Sequence, residues 1–62
     1  MRKIIIQGNR AAVINEQKPG YVWVNIYVNV RLGFEGADIT QLRWTGKTVK
    51  GAEKWAAQQL SA

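Results

Sequence analysis

The stretch YVWVNIYVNVRL, residues Tyr21 to Leu32, constrains the fold more than any other. Every second residue, Val22, Val24, Ile26, Val28, Val30 and Leu32, is aliphatic, and the interleaved ones are Tyr21, Trp23, Asn25, Tyr27, Asn29 and Arg31. Period-two alternation is the mark of a strand with one face in a core, because successive side chains of extended backbone point to opposite sides. At about 3.3 Å per residue such a strand is nearly 40 Å long if straight, so it is expected to bend in so small a domain. Its second face is unusual. A solvated strand face ordinarily carries Thr, Lys, Glu or Ser, not two tyrosines, a tryptophan, two asparagines and an arginine.

The flanking segments supply partners. RKIIIQ, Arg2 to Gln7, is rich in β-branched residues and reads as a strand. Gly8-Asn9 follows as a two-residue hairpin signal, and RAAVINEQ, Arg10 to Gln17, is the returning strand. Pro19 and Gly20 occupy the second and third positions of KPGY, the chemistry of a type II turn. Beyond the long strand, GFEG (Gly33 to Gly36) turns the chain and ADITQLRW (Ala37 to Trp44) reads as a fourth strand. The period then changes. Val49, Ala52, Ala56 and Leu60 recur at helical spacing with Trp55 beside them, and Thr48 is placed to cap the helix. Gly51 weakens the first turn by about 1 kcal/mol relative to Ala, which the good helix formers Ala56 to Leu60 outweigh. The expected fold is α+β, a single domain over residues 1–62: a four-stranded antiparallel meander packed on one C-terminal helix, β-β-β-β-α.

Two tight turns predict the register. With a two-residue loop at Gly8-Asn9, Ile6 faces Ala11 and Ile4 faces Val13. With another at Pro19-Gly20, Val13 faces Ile26 and Ala11 faces Val28. Ile4, Ile6, Ala11 and Val13 then join the aliphatic string under the helix. In the last strand, burying Leu42 and Trp44 sends Ile39, Gln41 and Arg43 to the opposite side, whereas the other parity buries Gln41 and Arg43 at far greater cost. The helix-free face is then expected to carry Lys3, Ile5 and Gln7; Arg10, Ala12, Ile14 and Glu16; Trp23, Asn25, Tyr27, Asn29 and Arg31; and Gln41 and Arg43. Trp44 and Trp55 are assigned to the core or its margin.

Composition narrows the function. Nine Lys and Arg against four acids give a net charge of +5, which favours phosphate-rich partners. Absence of His and Cys removes the usual zinc ligands, disulfides and the common bases and nucleophiles, so no cofactor, metal or catalytic residue is expected and an enzyme is disfavoured. Glu35 and Asp38 flank a glycine loop and read as turn polarity. No apolar run approaches the roughly 20 residues that span a bilayer, and MRKIII is short for a signal peptide, so a cytoplasmic protein without membrane or small-molecule partners is expected.

A helix-free face of this kind suits nucleic acid. Arg offers a planar fork to guanine or phosphate, Asn and Gln can pair two bonds with adenine, and Trp or Tyr can stack on bases or pack on sugars. Trp23 and Tyr27 would supply apolar contact; Asn25, Asn29, Gln41, Arg31 and Arg43 would contact bases or backbone; Lys3 and Arg10 would meet phosphates. Lys47, Lys50 and Lys54 cluster at the helix start, where positive charge opposes the helix dipole, as solvated charge or as a phosphate contact that offsets this. The alternative is an oligomerising or protein-binding module in which the same aromatic face packs against a second copy. The first strand could also pair edge to edge with its symmetry mate.

The segments YVWVNIYV, ADITQLRW and TVKGAEKWAAQQL, with RAAVINEQ before them, resemble the arm-binding domains at the N-termini of tyrosine-type phage integrases. They resemble equally the plant ethylene-response-factor DNA-binding domains. The resemblance implies a sheet whose exposed face lies in the DNA major groove with the helix behind it. It maps the reading face onto Arg10, then Trp23, Asn25, Tyr27 and Asn29, then Gln41 and Arg43, and suggests a phage or mobile-element accessory protein. Three features depart from it. Gly51 stands where those families usually have an acid, Gly46 where they have an aromatic, and Arg2 to Gln7 is an extra strand. No integrase catalytic domain follows, so a free-standing module is expected.

Overall fold

A computed structural model describes residues 1–30 and 36–61. Four antiparallel strands, β1 (Arg2–Gln7), β2 (Arg10–Lys18), β3 (Tyr21–Val28) and β4 (Asp38–Gly46), lie in sequence order in one sheet, followed by helix α1 (Val49–Leu60). The turn GFEG and the residues Arg31 and Leu32 fall largely or wholly outside the described residues. The strand that begins at Tyr21 stops at Val28, short of the full alternating run. Asn29 takes a left-handed backbone (φ 59°), a conformation that Asn tolerates better than other side chains, and this ends the strand.

The β1–β2 hairpin has the anticipated register, from Gln7 opposite Arg10 to Arg2 opposite Asn15. Gly8 alone in that loop takes positive φ (61°), as in a type II′ turn. The β2–β3 hairpin does not follow the simple pattern. Lys18 faces Tyr21 as expected, but a bulge between Glu16 and Lys18 inserts Gln17, and beyond it Glu16 faces Val22, Val13 faces Asn25 and Ala12 faces Ile26. Proline is the cause we assign. The turns whose twist suits a two-residue hairpin need positive φ at their first central residue, and the ring of Pro19 forbids it. The turn instead uses Gly20 at φ 83°, and the extra residue absorbs the mismatch in twist.

One inserted residue exchanges the faces of β1 and β2 relative to β3. Under the helix lie Ala12, Ile14, Val22, Val24 and Ile26 with Ala52, Ala56 and Leu60, flanked by Ile5, Trp44, Val49 and Trp55. Ile4, Ile6, Ala11 and Val13, anticipated in this core, are on the helix-free side. Ile5, Ala12 and Ile14, anticipated in the open, are in or against the core. Because β2 reads Ala11-Ala12-Val13-Ile14, either face offers apolar residues, and all four are buried.

The helix packs on β2, β3 and β4, with the small Ala52 and Ala56 allowing close approach. Thr48 Oγ1 accepts from the Gly51 N–H at 3.1 Å, the anticipated cap. Trp44 fills the end of this layer. A Cβ on Gly46 would stand 2.6 Å from Trp44 Cζ2, and one on Gly51 would stand 3.4 Å from the same ring. Gly46 therefore gives the indole its place.

In β4 a second irregularity sets Thr40, Gln41 and Leu42 against Ile26 alone, between the pairs Asn25–Arg43 and Tyr27–Ile39. Thr40 Oγ1 donates to the Ile26 carbonyl at 2.9 Å and accepts from the Leu42 N–H at 3.2 Å, satisfying backbone groups that the ladder leaves. Leu42, anticipated in the core, is 43% exposed as a result.

Two glycine substitutions should separate steric from conformational effects in urea denaturation. Gly46→Ala displaces the Trp44 ring and should cost about 1–3 kcal/mol. Gly51→Ala regains about 1 kcal/mol of helix propensity, against a Cβ that would stand 3.1 Å from the capping Thr48 Oγ1, so it should cost less than Gly46→Ala.

Candidate functional site

Three cross-strand rows furnish the helix-free face. The first is Arg2, Asn15, Trp23 and Thr45; the second is Ile4, Val13, Asn25 and Arg43; the third is Ile6, Ala11, Tyr27 and Ile39. Apolar groups dominate β1 and β2, and Ala11 and Val13 lie between longer side chains on either side. The polar and aromatic groups gather on β3 and β4.

Asn25 and Arg43 stand directly opposite each other, which puts their Cβ atoms about 4.5–5.5 Å apart. Trp23 and Thr45 form the next pair. An open groove of about 400 Å³ runs along these residues, with Ile39 and Tyr21 also in its lining. Asn25 is half-buried and Arg43 exposed, and neither side chain has a hydrogen-bond partner among the described residues. The groove thus offers an amide and a guanidinium fork side by side, with an indole diagonal to the fork. Lys18 lies over the Tyr21 ring at 5.9 Å, within reach of a weak cation–π attraction. Register brings Lys18 and Lys47 to the same end of the sheet as Tyr21 and Thr45.

Of the nine residues anticipated as a nucleic-acid surface, five come together: Trp23, Asn25, Tyr27 and Arg43 on this face, with exposed Gln41 in the β4 bulge between Ile39 and Arg43. Two are corrected. Lys3 lies on the helix side, its Nζ 2.7 Å from Glu53 Oε2, and Arg10 lies there too, its Nη1 donating to the Gln59 carbonyl at 3.1 Å. The Gln17 bulge is the physical reason, since it reverses the parity of both strands. Asn29 is off the strand, donating to Asp38 Oδ2 at 2.7 Å. Arg31 lies outside the described residues. Sequence reasoning missed Arg2, Asn15 and Thr45, and the signal that could have found the first two was Pro19.

Among the described residues no group of three or more Asp or Glu is gathered as a metal site, and no helix is long and apolar enough to cross a membrane. Comparison with family models, with curated proteins and with solved structures gives no match for this chain.

The role of Asn29 as a chain-turning residue has a direct check in thermal or chemical unfolding. Asn29→Ala should cost about 1–2 kcal/mol, from the left-handed backbone and the lost bond to Asp38. Asn29→Gly keeps the backbone conformation and should stay within about 0.5 kcal/mol of the native chain.

Proposed function

We propose that this chain is a small basic nucleic-acid-binding domain, with duplex DNA the preferred partner, that reads through the β3–β4 half of its helix-free face. The observation that carries this reading is the Asn25–Arg43 pair, two planar hydrogen-bonding groups side by side in an open groove and beside Trp23. Asn can pair two bonds with adenine and Arg with guanine, the latter the commonest specific contact to a base edge. Confinement of these groups to two adjacent strands also suits a major groove about 12 Å wide, which admits a two-stranded ribbon. Arg2, Lys18 and Lys47 border the polar end of the face and would meet phosphates. Helix α1 lies behind β2, β3 and β4, the arrangement that the resemblance to the integrase arm-binding and ethylene-response-factor domains implies, and this supports the same use of the face. A cytoplasmic phage or mobile-element accessory protein, without catalytic function, fits this reading.

A second reading has its own observation. Ile4, Ile6 and Ile39 on this face are 42%, 53% and 55% exposed, and apolar groups of that size favour a protein partner or a second copy. A tight dimer that Tyr27→Ala converts to monomer would support it over the first.

Titration of labelled duplex and single-stranded oligonucleotides at several salt concentrations, followed by Trp fluorescence, tests the nucleic-acid reading. Affinity should fall steeply as salt rises from about 50 to about 200 mM, with duplex bound more tightly. Arg43→Ala and Trp23→Ala should each weaken binding by about 1–3 kcal/mol. Lys3→Ala and Arg10→Ala, on the far side of the sheet, should stay within about twofold. Binding that is weak at low salt, or indifferent to salt, contradicts the reading.

A further inference from the structure

Among the described residues strand β1 pairs with β2 alone, and the helix packs mainly on the other three strands. Its second edge has no partner among the described residues. The groups on that edge follow from one observed pair. Met1 and Glu16 exchange both backbone bonds, Glu16 N–H to Met1 O at 2.9 Å and Met1 N to Glu16 O at 3.0 Å. In an antiparallel ladder such pairs alternate with non-bonded ones, so Lys3, Ile5 and Gln7 turn their N–H and C=O groups to β2. Arg2, Ile4 and Ile6 turn theirs outward.

This edge has few of the usual guards beyond Arg2 at its end. It contains no proline and no bulge, whereas β4 at the opposite edge is interrupted by two extra residues. Its cationic Lys3 is neutralised by Glu53. Its outward-bonding residues include two isoleucines 42% and 53% exposed.

We propose that β1 pairs antiparallel with β1 of a second copy about a two-fold axis at Ile5. Ile4 then lies opposite Ile6 of the partner, and each such pair exchanges two backbone bonds, four in all. Ile5 meets its own mate, Lys3 meets Gln7, and no like charges stand opposite each other. A register displaced by two residues in one direction sets Arg2 against Ile6 and Lys3 against Ile5, and in the other sets Ile4 against Gly8 and Ile5 against Gln7. The Ile5 register alone matches isoleucine to isoleucine on both faces of the sheet. The result is an eight-stranded sheet with both helices on one side and both Trp23–Arg43 grooves on the other, about 29 Å apart at ~4.8 Å per strand. Five paired residues make a contact below the ~1,200 Å² of stable complexes, so the dimer is a weak one. It requires no nucleic acid and is independent of the function proposed above.

Sedimentation equilibrium from about 5 μM to about 1 mM should record a rise from monomer toward dimer mass over the range expected for a contact of this size. Ile4→Pro removes only an outward N–H, so the chain should keep its circular dichroism and stay monomeric throughout. The chain has no cysteine, so single Cys variants report register. Ile5→Cys should form a disulfide-linked dimer under mild oxidation at least tenfold faster than Ile4→Cys or Ile6→Cys, while those two, mixed, cross-link to each other. A monomer at every concentration overturns the proposal. So does a dimer that folded Ile4→Pro leaves intact, or faster cross-linking of Ile4→Cys with itself.

Discussion

The fixed φ of Pro19 is the constraint from which the rest of this structure follows. A two-residue hairpin between right-twisted strands needs a positive φ where that proline stands. The strand beside it answers with one inserted residue, Gln17, and a single insertion exchanges the two faces of every residue before it. The composition of the core, the composition of the helix-free face and the location of two cations all hang on that exchange. Lys3 and Arg10 become ties between sheet and helix, joined to Glu53 and to the Gln59 carbonyl, instead of ligand contacts. Ile4 and Ile6 become exposed.

The opposite end of the sheet is organised by Trp44. Its ring needs Gly46 two residues along the same strand, and it lies against Gly51 in the first helical turn. Of these two departures from the integrase and ethylene-response-factor pattern, only Gly46 has a steric cause in the indole, since a Cβ at Gly51 would meet the ring at ordinary contact distance. Gly51 costs helix propensity, and the Thr48 cap offsets part of that cost. The second bulge, in β4, then releases Leu42 to solvent while Thr40 repairs the ladder.

The helix-free face is consequently divided. Its β3–β4 half carries indole, amide and guanidinium around a groove, and its β1–β2 half is aliphatic. The exposed cations of this face, Arg2 and Arg43, lie toward its polar end, while Lys3 is on the helix side and paired with Glu53. A face so divided can use one half for a polar ligand and leave the aliphatic border and its open edge for association, without the two competing for the same residues.

The sequence by itself determined the element order, the parity of β3 and, apart from Leu42, that of β4, the Thr48 cap and the aromatic face, since alternation and turn chemistry are local properties. Trp23, Asn25, Tyr27 and Arg43 were therefore legible as a group. It did not determine on which side β1 and β2 present their side chains. Ala11-Ala12-Val13-Ile14 is apolar in both parities, so burial gave no preference, and the choice fell to a turn whose proline was read for its type and not for its twist. Asn29 alternated like a strand residue, yet a left-handed backbone and a bond to Asp38 took it out of the strand. Only the tertiary structure decided these points, because register is a relation between strands, and one inserted residue changes it without altering the pattern within either.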